Sequence, residues 1–356
     1  MTDQTPYIEL ARRLDALPNG FPPAEDGSHL RLLARLFTPE EAALAAALTE
    51  KPEAAATIAA RIGADPAAVR NSLRAMARKG LITVGKADGG LGYAVMPFVV
   101  GIYEMQNSRI DAELARLFED YFQASFRQAM AIQPPFQRVV PIGESVKADI
   151  SIAPYETASG IVSRAAAWGV TECICRKQTA LIGRPCPHPV ENCMVFSDSP
   201  GAFAGRSGVK ALTREGALDL LRRSEEAGLV HSVGNTREGT WYICNCCTCS
   251  CGILRGMAEG GMASVMAHSG FVCRVDGFLC TACGMCEERC PFKAITVDGS
   301  AHVEEIRCAG CGVCVAACPD KALSLERLPQ DQLPRPPLDK AEWGRERTTW
   351  RAGHPD

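Results

Sequence analysis

The chain has 356 residues, 47% of them hydrophobic, and a formal net charge of −3. That length accommodates two or three domains with cores of their own, and the small net charge excludes a global basic field aimed at nucleic acid or an anionic membrane. The opening Met1-Thr2-Asp3-Gln4 lacks the basic-then-apolar pattern of an export signal, and the longest apolar stretch, Leu91 to Tyr103, is interrupted by Pro97 and too short to span a bilayer. A cytoplasmic protein with no membrane insertion is expected.

Cysteine is the outstanding feature: there are 18, and none precedes Cys173. In a reducing compartment, clustered cysteines bind metal more often than they form disulfides. The expected fold class is α+β multidomain: an N-terminal domain free of cysteine, a central cysteine-rich α/β domain and a second cysteine-rich domain at the C-terminus.

Residues 28–100 have the order of a winged helix. Thr38-Pro39-Glu40-Glu41 is a capping box with proline at the first helical position, opening a helix through Leu48. Ala54 to Ile62 makes a second helix ending at Gly63, and Asp65-Pro66 opens a third with Val69, Leu73, Met76 and Leu81 at helical spacing. Ile82-Thr-Val84, Asp88-Gly-Gly90 and Gly92-Tyr-Ala-Val95 form a hairpin. The third helix carries Arg70, Asn71, Arg74, Arg78 and Lys79, the side-chain types that meet phosphates and base edges in DNA readers. Nine Lys/Arg against six Asp/Glu over 28–100 give only +3, modest for a DNA reader, so a protein-contact or structural role is favoured over DNA. Residues 101–136 then hold a linker helix from Asn107 to Met130, with Ile110, Leu114, Leu117, Phe118, Tyr121, Phe122 and Phe126 as its apolar stripe. The sequence does not set the oligomeric state.

Residues 137–268 hold nine cysteines. Cys173 and Cys175 end a strand and precede Arg176 and Lys177; Cys186 and Cys193 flank Pro187-His188-Pro189; Cys244, Cys246, Cys247, Cys249 and Cys251 fall within eight residues. Together, with His188 and His231 nearby, they suit a third centre, an additional iron–sulfur cluster or zinc, because soft thiolates select both. Cys173 and Cys175 at one strand end and Cys244 and Cys246 at another are expected to meet on adjacent strands joined by a crossover helix, Glu215 to Ala227. Arg176 and Lys177 would offset the thiolate charge, or simply begin a solvated helix.

Residues 269–328 repeat one motif. Cys280, Cys283, Cys286 and Cys290-Pro291 are matched by Cys308, Cys311, Cys314 and Cys318-Pro319, each Cys-x2-Cys-x2-Cys-x3-Cys-Pro. In this bacterial ferredoxin run the fourth cysteine ligates the other cluster. One [4Fe-4S] cluster is therefore expected on Cys280, Cys283, Cys286 and Cys318, and a second on Cys308, Cys311, Cys314 and Cys290. Two zinc sites would leave the terminal prolines and the complete four-cysteine runs unexplained. Cys273 reads as a small buried apolar residue. The tail, 329–356, is rich in proline and charge and is expected to be irregular and exposed.

Several segments carry a resemblance: Met96-Pro-Phe-Val-Val-Gly-Ile-Tyr-Glu104, Cys173-Ile-Cys175-Arg176, Cys186, Cys193 and the Cys244-Asn-Cys-Cys block. With the ferredoxin repeat, the chain resembles a family of bacterial winged-helix/4Fe-4S dicluster ferredoxin fusions. It departs from the family at Ser250, where the relatives carry cysteine, which leaves the upstream ligand set open. The resemblance implies electron transfer without naming donor or acceptor. The expected function is an iron–sulfur carrier or electron-delivering subunit of a cytoplasmic oxidoreductase, working with redox protein partners. The alternatives are a redox-sensing winged-helix transcription regulator and an oxidoreductase with a catalytic third cluster. No Walker A loop, Gly-x-Gly-x-x-Gly or His-Glu-x-x-His motif is present.

Overall fold

The computed structural model describes residues 3–88, 90–143, 146, 152–260 and 265–354. They divide into two compact units, Met1–Ala129 with Lys177–Arg184, and Met130–Arg176 with Pro185–Asp356.

In the first unit, helices Thr5–Asp15 and Ser28–Leu36 precede the capped helix Pro39–Ala46. The Thr38 hydroxyl accepts from the Glu41 amide at 3.2 Å, and the Glu41 carboxylate accepts from the Thr38 amide at 3.1 Å. Both donors would otherwise be orphans of the first turn. Helix Ala55–Ile62 stops at Gly63 in the left-handed region, and Asp65 caps helix Pro66–Arg78. Strands Ile82–Ala87 and Gly90–Val95 pair antiparallel, and Glu53–Ala54 adds to the free side of the second. Gly89, in the expected turn, lies outside the described residues.

The expected linker helix runs without interruption to Ala131 but starts at Ala112 instead of Asn107 and carries one wider turn. A 3-10 turn, Glu104–Gln106, precedes helix Ala112–Tyr121; a wide turn, Phe122–Phe126, and a short helix, Arg127–Ala131, follow. Asp111 sets the start, its carboxylate accepting from the Leu114 amide at 2.9 Å. Leu114, Phe118, Tyr121, Phe122 and Phe126 are buried as the stripe required, while Ile110 precedes the helix and is half-buried.

The second unit is built on a seven-stranded sheet. Its order is Met266–Ala267, Gln137–Val139, Val230–Gly234, Tyr242–Cys246, Glu191–Ser197, Ala167–Glu172 and Lys210–Leu212. The first pair is parallel and the others antiparallel. Helices Ala158–Arg164 and Arg214–Glu226 supply Ile161, Val162, Ala217 and Leu221 to a core shared with Val170, Met194 and Ile243 of the sheet. Those three strand residues are in register. Because side chains alternate along a strand, their neighbours Thr171, Cys193 and Cys244 point to the opposite face.

The tail is not irregular throughout. Asp339 caps helix Lys340–Gly353, whose Trp343 and Arg347 are buried. The Trp343 indole donates to Pro135 O at 3.0 Å, and the Arg347 guanidinium lies 4.3 Å from the Phe136 ring centroid while donating to Pro134 O at 2.7 Å. Two tertiary anchors thus order a segment whose composition alone reads as exposed. Among the described residues no helix is long and apolar enough to cross a membrane.

Trp343→Ala removes a buried aromatic and its hydrogen bond and is expected to cost the second unit about 3–5 kcal/mol. Chemical denaturation followed by circular dichroism would measure this. An unchanged midpoint would show that the terminal helix is not anchored there.

Candidate metal centres

The C-terminal module folds on its repeat. Strand Phe271–Val275 pairs with Leu323–Arg327, and Ile295–Asp298 with Ser300–Val303, both antiparallel. Each cysteine run passes through a left-handed residue into a short helix: Gly284 before Met285–Arg289, and Gly312 before Val313–Ala317. Within each run a second left-handed position recurs, Ala282 in the first and Gly310 in the second, as do Lys293 and Lys321 after the fourth cysteines. The backbone repeats as the sequence does.

Two cavities result, and each gathers four cysteines of the repeat. Cys280, Cys283, Cys286 and Cys318 line one; Cys290, Cys308, Cys311 and Cys314 line the other. Each cavity thus takes three cysteines from one run and the fourth from the other. Backbone amides aim at the sulfurs: Ala294 N donates to Cys290 Sγ at 3.2 Å, Ala322 N to Cys318 Sγ at 3.3 Å and Ala301 N to Cys280 Sγ at 3.4 Å. Such donors stabilise negative charge on a thiolate, and amides from Ala282 and Ala301 hold the Cys280 thiol below its ordinary range. The donor set, four cysteines in an amide-lined cavity, fits a [4Fe-4S] group.

The two cavities differ in exposure. Cys283 is exposed, whereas Cys311 and Cys314 are buried. Burial pushes the Cys311 thiol well up. The hydrogen bond from Cys314 to Cys273, 3.6 Å between sulfurs, raises Cys314, with burial adding to it. Cys273 is buried, as its strand position implied, but it also lines the inner cavity.

Upstream, the face of the sheet turned away from the helices carries a ring of six thiols. Cys173 is in hydrogen-bonding contact with Cys175 and Cys193, Cys193 with Cys244, Cys244 with Cys246, Cys246 with Cys251, and Cys251 again with Cys175. The register explains the arrangement, since Thr171 pairs with Cys193 and Met194 with Ile243. The expected side-by-side placement of the Cys173 and Cys244 strands is corrected here. Strand Glu191–Ser197 lies between them and contributes Cys193, and Cys175 sits in helix Ile174–Leu181 instead of on a strand. Strand Tyr242–Cys246 ends at Cys246, and the following turn returns Cys251 to the ring while Cys247 and Cys249 leave it.

Neighbouring buried thiols do not all ionise together. Hydrogen bonds from Cys175 and Cys193 hold Cys173 well below the ordinary thiol range, and those from Cys175 and Cys246 do the same for Cys251. Cys175, bonded to both low members, is pushed up. Arg176 is 1% exposed. Its guanidinium donates to Pro189 O at 2.8 Å and Asn245 O at 2.7 Å and lies beside Cys173, Cys246 and Cys247. It is a buried counter-charge, not the start of a solvated helix; the Lys177 ammonium instead donates to Asn107 O at 2.6 Å. His231 is committed to Asn245, 2.7 Å from Nδ1 to Oδ1, and burial lowers its pKa to about 4.

The remaining upstream cysteines separate from the ring. Cys186, Cys247 and Cys249 converge with His188, a residue outside the expected ligand set. Its signal in the sequence is the two-residue step from Cys186 to His188, matched by the step from Cys247 to Cys249.

A family model described as a 4Fe-4S dicluster domain matches residues 279–323. No curated protein and no solved structure matches the chain. The C-terminal module is thus an iron–sulfur, ferredoxin-type domain in a mixed α/β protein.

Gly310, at φ +65°, would bring an added Cβ within 2.2 Å of Phe271 O and Ser269 Oγ. Gly310→Ala is expected to displace the inner-cavity loop and lower bound iron. At Gly284 nothing lies within 4 Å, so Gly284→Ala meets only the left-handed strain of roughly 1–2 kcal/mol. Iron per chain and melting temperature of the two variants would separate these effects; equal, wild-type iron in both would contradict the packing described.

Proposed function

We propose that the protein is an iron–sulfur electron-transfer protein, a carrier or electron-delivering subunit. In this reading Cys280, Cys283, Cys286 and Cys318 hold one [4Fe-4S] cluster, and Cys308, Cys311, Cys314 and Cys290 hold another. The observation that carries it is the pair of four-cysteine cavities with amides directed at their sulfurs. Each cluster, when bound, supplies a one-electron couple whose potential follows hydrogen bonding and solvent exposure. The chain sets both differently at the two sites: Cys283 opens the outer one to solvent, while Cys311 and Cys314 enclose the inner one.

The exposed Phe278, Leu279 and Met285 adjoin the outer cysteine run, with Glu287, Glu288 and Asp320 exposed beside it. An apolar face with an acidic rim suits a redox protein that presents apolar and basic groups. The six-thiol ring is the third metal–sulfur centre in this account. Six thiolates exceed the four positions of a mononuclear tetrahedral site, and the ligand softness suits iron–sulfur chemistry.

A second reading is favoured by the first unit, whose helix order and three-stranded sheet we interpret as a winged helix. Arg70, Asn71, Arg74 and Arg78 are all exposed on helix Pro66–Arg78, whereas Lys79 is paired with Glu41 at 2.6 Å. That face supports a redox-responsive DNA reader. A gel-shift of the oxidised and reduced protein against its own promoter region would establish this role through salt-sensitive, sequence-selective retardation; its absence in both states leaves the carrier reading alone.

For the primary reading, the double variant Cys283→Ala, Cys311→Ala should lose the iron of both ferredoxin cavities. It should keep a residual iron–sulfur electron paramagnetic resonance signal from the six-thiol ring, and Cys193→Ser should remove that signal. Retention of full iron in the double variant would overturn the ferredoxin assignments. Loss of all iron in a protein still folded by circular dichroism would remove the ring from the account.

A further inference from the structure

We propose that Cys186, His188, Cys247 and Cys249 form a separate mononuclear zinc site beside the six-thiol ring. Among the described residues this is the one group of three or more metal-ligating side chains whose ligand atoms all lie within 4.8 Å of one another. Cys186 Sγ stands 3.1 Å from Cys249 Sγ, 3.5 Å from Cys247 Sγ and 3.2 Å from His188 Nδ1, and Cys249 Sγ is 3.8 Å from the same nitrogen.

Those separations select the kind of centre. Zinc–sulfur bonds of about 2.3 Å at tetrahedral angles place ligand sulfurs roughly 3.7 Å apart, so the four side chains are already gathered at the scale of one ion. A cubane carries its thiolates on outward-facing corners and spaces them more widely, and the eight ferredoxin cysteines form no group this tight. Three thiolates and one imidazole are a common structural zinc set. Two short turns deliver them: Cys186-Pro187-His188-Pro189, where the prolines restrict the backbone, and Cys247-Thr248-Cys249.

The site has a place in the fold. It joins the loop after Pro185 to the turn that follows strand Tyr242–Cys246, and that turn leads directly to Cys251 of the ring. Arg176, hydrogen-bonded to Cys247 and beside Cys173 and Cys246, lies against both thiol groups. Zinc has no redox change in proteins, so it would fix the wall of the neighbouring centre without taking up electrons itself. The step is one of ligand exchange: aqueous Zn2+ gives up its waters, the three thiols release protons to solvent, and His188 binds through its neutral Nδ1.

The experiment is element-specific and independent of the electron-transfer reading. The full-length protein, purified anaerobically from zinc- and iron-supplemented cells, should contain about one zinc per chain, and its zinc K-edge absorption should fit three sulfurs and one nitrogen. Cys186→Ser and Cys249→Ser should each lose most of that zinc while iron per chain stays at the wild-type value. His188→Cys should retain the zinc with a four-sulfur shell. Wild-type protein without stoichiometric zinc, a shell of four sulfurs before any substitution, or full zinc in both serine variants would overturn the proposal. If a serine variant fails to fold, the wild-type edge spectrum still decides it.

Discussion

The structure depends on one constraint, the cost of holding many thiolates out of water. A buried anion is stable only when it is paired, hydrogen-bonded or bound to a cation, and this chain places 18 free cysteines, many of them buried, from Cys173 onward. The two regions meet the constraint differently. In the C-terminal module, backbone amides at Ala294, Ala301 and Ala322 point at cysteine sulfurs. At the sheet, a fully buried guanidinium, Arg176, stands beside Cys173, Cys246 and Cys247. In the proposed account metal supplies the remaining positive charge in both, which would couple metal loading to folding of the second unit.

The sheet makes the upstream centre possible by keeping its two faces chemically apart. Val170, Met194 and Ile243 pack under the helices, and the alternate residues carry thiols on the reverse face. A one-residue slip of strand Glu191–Ser197 would exchange Cys193 for Met194 and break both the core and the ring. The same side-chain alternation that builds the hydrophobic core therefore also fixes where the thiols stand. Helix Arg214–Glu226 serves the sheet on one side, and on another approaches helix Val313–Ala317, which carries Cys314.

Much of this was legible in the sequence where local chemistry decides the outcome. Thr38 with Glu41, Gly63 and Asp65 mark helix ends through contacts within a few residues, and those ends stand where expected. The ferredoxin repeat was legible because its spacing is itself the ligand geometry. The rest depended on tertiary partners. Trp343 and Arg347 are silent until Phe136 and the carbonyls of Pro134 and Pro135 are beside them. Asp111 reads as one more polar residue until its carboxylate takes the Leu114 amide. Of the nine upstream cysteines, Cys173, Cys175, Cys244 and Cys246 were expected together and all four stand in the ring, but strand register adds Cys193, the following turn adds Cys251, and the other three join His188 instead. His188 went unassigned as a ligand for the same reason.

The most direct measurement of the central claim is native mass spectrometry of anaerobically purified protein, compared with the acid-denatured polypeptide. The account predicts an added mass that includes at least about eight iron atoms and eight inorganic sulfides, in steps of whole four-iron clusters. A folded protein that carries only sulfide-free metal ions would contradict it.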